Sequence, residues 1–161
     1  MSNKLTHIDP QGNPKMVDIS TKPNTHRLAI AEGWVLLSDA CLFRITEGRM
    51  RKGDVMQIAQ LAGIMGAKRT ADLIPLCHPL PIDSVDVLVY PIPTKGLRIE
   101  ATVRSFWRTG VEMEALTAVT ASALTVYDMI KSIEKDAMIT GIRLLEKQGG
   151  RSGRWIAKQL K

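Results

Sequence analysis

The sequence predicts an α+β fold, one antiparallel sheet with its helices packed on one face, and three observations lead there. SVDVLVYPI (84–92) and GLRIEATVRSFW (96–107) are two β-rich apolar runs joined by the turn segment PTKG, a hairpin pattern. VEMEALTAVTASALTVYDMIKSIEK (111–135) carries apolar residues at helical spacing and is the strongest helix signal in the chain. From residue 27 onward the elements run β, two helices, β, β, α, β.

Each element has a local reason. Residues 1–15 are polar, contain Pro10, Gly12 and Pro14, and are expected to form a flexible arm before MVDIS opens the ordered chain. RLAIAEGWVLL (27–37) is a strand, with Gly33 a candidate bulge. Ser38-Asp39 can cap a short helix over 39–47 that Gly48 closes. Asp54 can cap a second helix over 54–69, whose Val55, Ile58, Leu61/Ala62 and Met65 form a stripe expected to face the core. Prolines rule out a regular helix over 73–81. The long helix is expected to bury Leu116, Val119, Ala123, Val126/Tyr127 and Ile130. MITGIRLLEKQ (138–148) is the last strand, and GGRSGRWIAKQLK a basic, glycine-loosened tail. The expectation is one domain over 16–153 with a tail over 154–161. Its nearest named arrangement is the ferredoxin-like plait, a four-stranded βαββαβ sheet with one helix added. That plait hosts many unrelated activities, so function has to come from the residues.

Composition narrows the classes. A chain of 161 residues, 45% of them hydrophobic, can bury a core without disulfides or metals. No run reaches the roughly 18 apolar residues of a membrane span, and MSNKLTHIDPQGNPK lacks the apolar core of a secretory signal. A cytoplasmic protein with reduced Cys41 and Cys77 is expected. Twenty-two Lys and Arg against sixteen Asp and Glu give a net charge of +6, which favours anionic partners. Aromatics are only 4% and do not interleave with basic residues, so a phosphorylated small molecule is favoured over nucleic acid.

Four constellations could carry chemistry. In LIPLCHPL (73–80), Cys77 and His78 are neighbours between Pro75 and Pro79. In an extended segment successive side chains diverge, which argues against a catalytic dyad. His7, His26, His78 and two cysteines offer no metal-ligand spacing, so no metal site is expected. A rigid loop with a buried Cys and a hydrogen-bonded His, or a loop facing a ligand, remain the two readings. In TGVEMEALT (109–117), Glu112 and Glu114 complement a helix start. Being two apart they share no helical face, so either the segment is non-helical there or they serve different sites.

In YDMIK (127–131), Asp128 and Lys131 are neighbours on one helical face. The stretch before them, ALTAVTASALT, is free of charge. The pair is therefore expected to line a cleft as a partly buried carboxylate beside an ammonium, rather than to be a surface ion pair. Glu114 and Asp128 lie on similar azimuths about 21 Å apart along the helix. That spacing suggests a site assembled from two subunits, each contributing a different end of this helix. The last constellation is basic: RMRKGD (49–54), AKRT (67–70), and Lys147 with GGRSGR (149–154). Lys52-Gly53-Asp54 leads into a helix N-terminus, and the glycines allow close backbone approach to an anion. No P-loop motif occurs.

KGDV (52–55), AKRT through DLIPLCHPL (67–80), TGVEMEALTA (109–118), LTVYDM with Lys131 (124–131), and the closing RLLEK, GG and SG (143–153) together resemble the cyclic pyranopterin monophosphate synthase family of molybdenum-cofactor biosynthesis. The resemblance runs in order over nearly the whole chain. It implies conversion of 3′,8-cyclo-7,8-dihydro-GTP, the product of an upstream radical S-adenosylmethionine enzyme, to cyclic pyranopterin monophosphate with release of pyrophosphate. It implies no cofactor, and a homohexamer (a trimer of dimers) of ferredoxin-like subunits with active sites at the dimer interface.

By position, the essential aspartate falls on Asp128 and its lysine partner on Lys131. The substrate loop falls on Leu76, Cys77 and His78, the glutamate motif on Glu112, Met113 and Glu114, and the early lysine on Lys52. Arg27, Lys68, Arg69 and Lys147 match basic positions. Met50 and Arg51 replace a histidine pair, Ala71 a tryptophan, and Arg108 and Arg151 lysines; Arg for Lys keeps charge but alters donor geometry. Asp128 and Lys131 are expected at the reacting centre, with His78 and Lys52 nearer the phosphates. The competing readings are an RNA-binding module and a regulator that binds a triphosphate intact. Both predict binding without product.

Overall fold

Alternation of side chains along the strands decides how the layers form. The structure is a computed structural model that describes residues 8–158. Its strands are β1 (Thr25–Leu36), β2 (Ser84–Ile92), β3 (Gly96–Trp107), β4 (Met138–Gln148) and β5 (Trp155–Ile156). The helices are α1 (Asp39–Thr46), α2 (Val55–Lys68), α3 (Thr70–Leu73) and α4 (Glu112–Ile130). Ala29, Ala31 and Val35 of β1 and Leu97, Ile99, Ala101 and Val103 of β3 alternate inward and are buried. They meet Ala115, Ala118, Val119, Ala123, Val126 and Ile130 of α4, all fully enclosed. Each such Val, Leu or Ile contributes on the order of 1.5–3 kcal/mol through its burial.

Among the described residues the sheet order is β2-β3-β1-β4-β5, with every pairing antiparallel. The first four strands make the expected plait, with α2 and α4 as its crossover helices. The sheet has five strands, not four, because Trp155 and Ile156 pair with Lys147 and Glu146 at the β4 edge. The expected hairpin is present, from Ser84 opposite Arg104 to Ile92 opposite Gly96. Of the arm expected over 1–15, residues 1–7 lie outside the described residues. In the remainder, Asp9 accepts from the Gln11 and Asn13 amides at 2.9 and 2.8 Å. Residues 159–161 of the tail are also outside.

Gly33 is not the bulge. β1 pairs with β3 without interruption through Gly33 opposite Ile99. The register shifts fall against β4, where Glu32 faces Arg143 but Trp34 faces Thr140, so the extra residue belongs to β4. Gly33 is instead where α4 rests on the sheet, since a Cβ there would sit 2.6 Å from Val119 Cγ1.

Two helix expectations also change. Asp54 does cap α2, accepting from Gln57 N at 3.0 Å, but the buried residues are Val55, Ala59, Gly63 and Ala67. Ile58, Leu61 and Met65 are exposed. The cause is close packing between α2 and α4: a Cβ at Gly66 would lie 2.6 Å from that of Ala121, and one at Gly63 would collide with Ser122 Oγ. Small residues therefore face the neighbour and large ones are turned outward. α4 stops at Ile130 rather than 135, and in the turn beyond it the Glu134 carboxylate accepts from the Ser38 amide and hydroxyl at 2.9 and 2.6 Å.

On the open face of the sheet lies a cluster no sequence signal announced. Glu32 is buried, and its two carboxylate oxygens accept separately from Arg98 Nε and Arg143 Nε, both at 2.9 Å. Burial opposes its ionisation, but the two guanidiniums hold its pKa below the usual value.

Candidate active site

Helix α4 carries a candidate site at each end. At its N-terminal end a cavity of about 430 Å³ is bounded by Leu76, Cys77 and His78 of the proline loop and by Glu112, Met113 and Glu114 of the first helical turn. Both readings of LIPLCHPL hold in part: His78 is hydrogen-bonded and the loop faces the cavity, but Cys77 is only partly buried. The loop starts as a turn rather than extended chain, closed by Cys77 N donating to Ile74 O at 3.0 Å. Cys77 and His78 therefore both line the cavity, yet no hydrogen bond joins them among the described residues. The Cys77 thiol is pushed up by burial and by the Glu114 charge, away from the nucleophilic thiolate. His78 Nε2 lies 2.7 Å from the Val17 carbonyl oxygen. A carbonyl can only accept, so Nε2 carries the proton and Nδ1 is left to serve as base or acceptor.

Glu112 and Glu114 face the same cavity although they are two residues apart, because the helix presents its first turn end-on. Glu114 is nearly enclosed, and burial, reinforced by the Glu112 charge, raises its pKa to about 7. It is poised to hold or release a proton near neutrality. Glu112 pairs with Lys147 of β4 at 3.2 Å, which brings that lysine to the rim. A Cβ at Gly110 would run into the Glu112 carboxylate, so the glycine before the helix makes room for it. Lys68 lines a smaller cavity of about 130 Å³ that shares His78 and Glu114 with the first. Arg69 is exposed at the end of α2, outside both cavities.

At the other end of α4, Asp128 accepts from Lys52 Nζ and Lys131 Nζ through different oxygens, each at 2.8 Å. Lys52 also donates to the Asp128 backbone carbonyl at 2.8 Å. Asp128 was expected to be partly buried in a cleft, and within one chain it is not: its side chain is 56% exposed. Its pKa nevertheless falls to about 2, through hydrogen bonds and charge from Lys131 and Lys52. Of the charge-free column leading to it, Leu124, one turn earlier, is also exposed, whereas Ala121 packs against Gly66 of α2. Sequence spacing paired Lys131 with Asp128; Lys52, seventy-six residues away, is brought in by the fold.

Other residues reach these cavities without a sequence argument for them. Val17, Ile19 and Lys22 close the first cavity from the N-terminal segment. Thr25 and Arg108 face a second, neighbouring cavity. Met50, at a position where the resemblance suggested histidine, is buried in the core and takes no part.

The sequence profile of the MoaC family matches residues 16–150. A cyclic pyranopterin monophosphate synthase from Cereibacter sphaeroides is 58% identical over 154 residues, which is 95% of this chain and 97% of its own length. Proteins of the same name from Thermomicrobium roseum and Corynebacterium glutamicum are 55% and 50% identical, over 94% and 95% of the chain and 92% and 97% of their own lengths. Matches of this extent, covering both ends of α4 and the loop at 73–80, place the chain in the MoaC family.

Proposed function

We propose that the chain is a cyclic pyranopterin monophosphate synthase, a phosphorus–oxygen lyase of molybdenum-cofactor biosynthesis. It converts 3′,8-cyclo-7,8-dihydro-GTP to cyclic pyranopterin monophosphate and releases pyrophosphate. It works in the cytoplasm, downstream of a radical S-adenosylmethionine enzyme. The observation that carries this reading is the division of labour along α4. One end holds a cavity with a neutral-range acid and an oriented imidazole, and the other holds an exposed Lys–Asp–Lys cluster.

The reaction needs both. Rebuilding a purine as a pyranopterin requires repeated proton transfers, which Asp128, Lys131, Glu114 and His78 Nδ1 can mediate. Closing the cyclic phosphate expels pyrophosphate, and Lys52, His78, Lys147 and the basic loops can offset the charge that develops. Leu76, Cys77, Met113 and Glu112 shape the wall that holds the substrate, and Lys68 and Arg69 add positive charge behind it.

Half a site at each end of one helix calls for a second copy. Between the two ends, Ile58, Leu61 and Met65 of α2 and Leu124 of α4 form an exposed apolar strip. A two-fold axis through that strip would bring the lysines and aspartate of one copy to the cavity of the other. This is the dimer from which the homohexamer is built. The direct test is to incubate the pure protein with the cyclised triphosphate and measure pyrophosphate together with pterin fluorescence after oxidation. Both signals are expected; binding without either would leave the RNA-binding or regulatory readings.

A further inference from the structure

The cavity at the N-terminal end of α4 is covered by chain that belongs to neither a helix nor a strand. Residues 16–22 run across it between two self-contained pieces of structure. Ahead of them residues 9–13 close on themselves, with Asp9 N donating to the Asn13 carbonyl and Gly12 N to the Asp9 carbonyl, both at 3.0 Å. Behind them, past the exposed Pro23 and Asn24, Thr25 opens the β1 ladder opposite Trp107. Side chains alternate along the segment: Val17 and Ile19 are half-buried and line the cavity, while Asp18 and Ser20 are exposed.

Little ties this segment down. Its internal bonds, Ser20 N to Asp18 Oδ1 at 2.8 Å and Lys22 N to the Ile19 carbonyl at 3.1 Å, shape it without attaching it. Among the described residues, the one hydrogen bond that joins residues 16–22 to the rest of the fold runs from His78 Nε2 to the Val17 carbonyl, at 2.7 Å. Val17 and Ile19 also lie outside the hydrophobic core. β1, by contrast, is laddered on both sides. A stretch with one tether and two half-buried side chains opens locally far more readily than a laddered strand.

The far end of that tether is the imidazole that faces Glu114 across the cavity. The Val17 carbonyl holds the ring in one orientation and keeps its proton on Nε2, so Nδ1 is presented as a base while the segment is seated. When the segment lifts, the ring loses that constraint and the cavity opens to water.

We propose that residues 16–22 are a strap that lifts to admit substrate and, on closing, sets His78 for proton transfer. Val17 and Ile19 are positioning residues: Ile19 seats the strap, and the Val17 carbonyl fixes the imidazole. One contact thus does two things, so the base is in place only once the cavity is shut. The role in turnover rests on the reading of this cavity as the reacting site; the motion itself does not.

The proton on His78 Nε2 reports the strap directly, because it exchanges with water when its bond to Val17 opens. Its exchange is followed by NMR in the full-length protein carrying isotope-labelled histidine, at about pH 8, where an ordinary imidazole is neutral. Ile19→Ser should speed that exchange at least about tenfold, and Ile19→Val should restore most of the protection. Val17→Ala, which trims the strap and leaves the core intact, should speed it by a smaller factor. Ile8→Ser, ahead of the strap, should leave it unchanged. With the cyclised triphosphate, Ile19→Ser should lower kcat about fivefold or more and change KM less. Exchange as slow in Ile19→Ser and Val17→Ala as in the parent protein overturns the strap. Faster exchange with kcat unchanged overturns its hold on His78. If both variants exchange faster while the parent protein gives no product from the cyclised triphosphate, the strap stands and the assigned reaction falls.

Discussion

The two ends of α4 hold the same functional group in opposite states. Glu114 is a carboxyl enclosed by protein with another carboxylate nearby, and it keeps its proton up to about pH 7. Asp128 is a carboxylate in solvent between two ammonium groups, and it gives up its proton near pH 2. The first lines a cavity and carries a proton; the second is exposed and carries charge. The difference teaches that environment rather than residue type assigns the roles. On the proposed reading, the open surface at Asp128 is where another copy of the chain docks.

The comparison breaks most sharply at Asp128. Asp128→Asn and Lys131→Ala should each abolish measurable product, while circular dichroism and sedimentation show the fold and oligomer intact. Mixing Asp128→Asn with Glu114→Gln subunits should restore part of the activity, because hybrid dimers carry one site with both halves native. Near-normal turnover by either single variant, or hybrids as inactive as their parents, would break the division of labour.

A smaller effect is expected at the strip between the ends. Leu124→Arg places a charge where the side chain is already exposed, so the monomer should fold, yet it should sediment as a smaller species and lose at least about tenfold in activity. An unchanged oligomer would move the interface elsewhere.

The subtlest prediction concerns pH. Glu114 binds its proton up to about pH 7 when folded and up to about 4.5 when unfolded, so the stability it contributes is fully present below 4.5 and lost as pH rises through 7. Glu114→Gln, which mimics the protonated acid, should therefore stabilise the dissociated chain by on the order of 3 kcal/mol at about pH 8 and leave it unchanged at about pH 4. In the assembled protein the gain should shrink, because lysines of the second copy would favour the ionised carboxylate. An equal gain in both states would argue that no cation arrives.

Much of the fold is legible in the sequence because local signals and tertiary structure agree. The hairpin over 84–107 and the Ser38 and Asp54 caps lie where spacing and capping chemistry put them. The α2 face is misread for a definite reason. Both sides of that helix carry apolar residues, and periodicity cannot say that Gly63 and Gly66 will bring α4 so close that Ile58, Leu61 and Met65 are left outside. β5 escapes because two residues in a basic tail carry no period. At the site, motif positions identify Glu112, Glu114, Asp128 and His78. The Lys52–Asp128 contact and the Val17 carbonyl on His78 both join residues far apart in the chain, where spacing has nothing to say.

Glu32 has a consequence for how the strands find one another. Its two oxygens are engaged by arginines from β3 and β4, the neighbours on either side of β1, so one carboxylate acts as a rivet through three strands. Sliding either neighbour by a single residue would turn its arginine to the opposite face and strand a buried charge without one of its partners. Misaligned sheets are thereby penalised, and the open face is committed to one alignment.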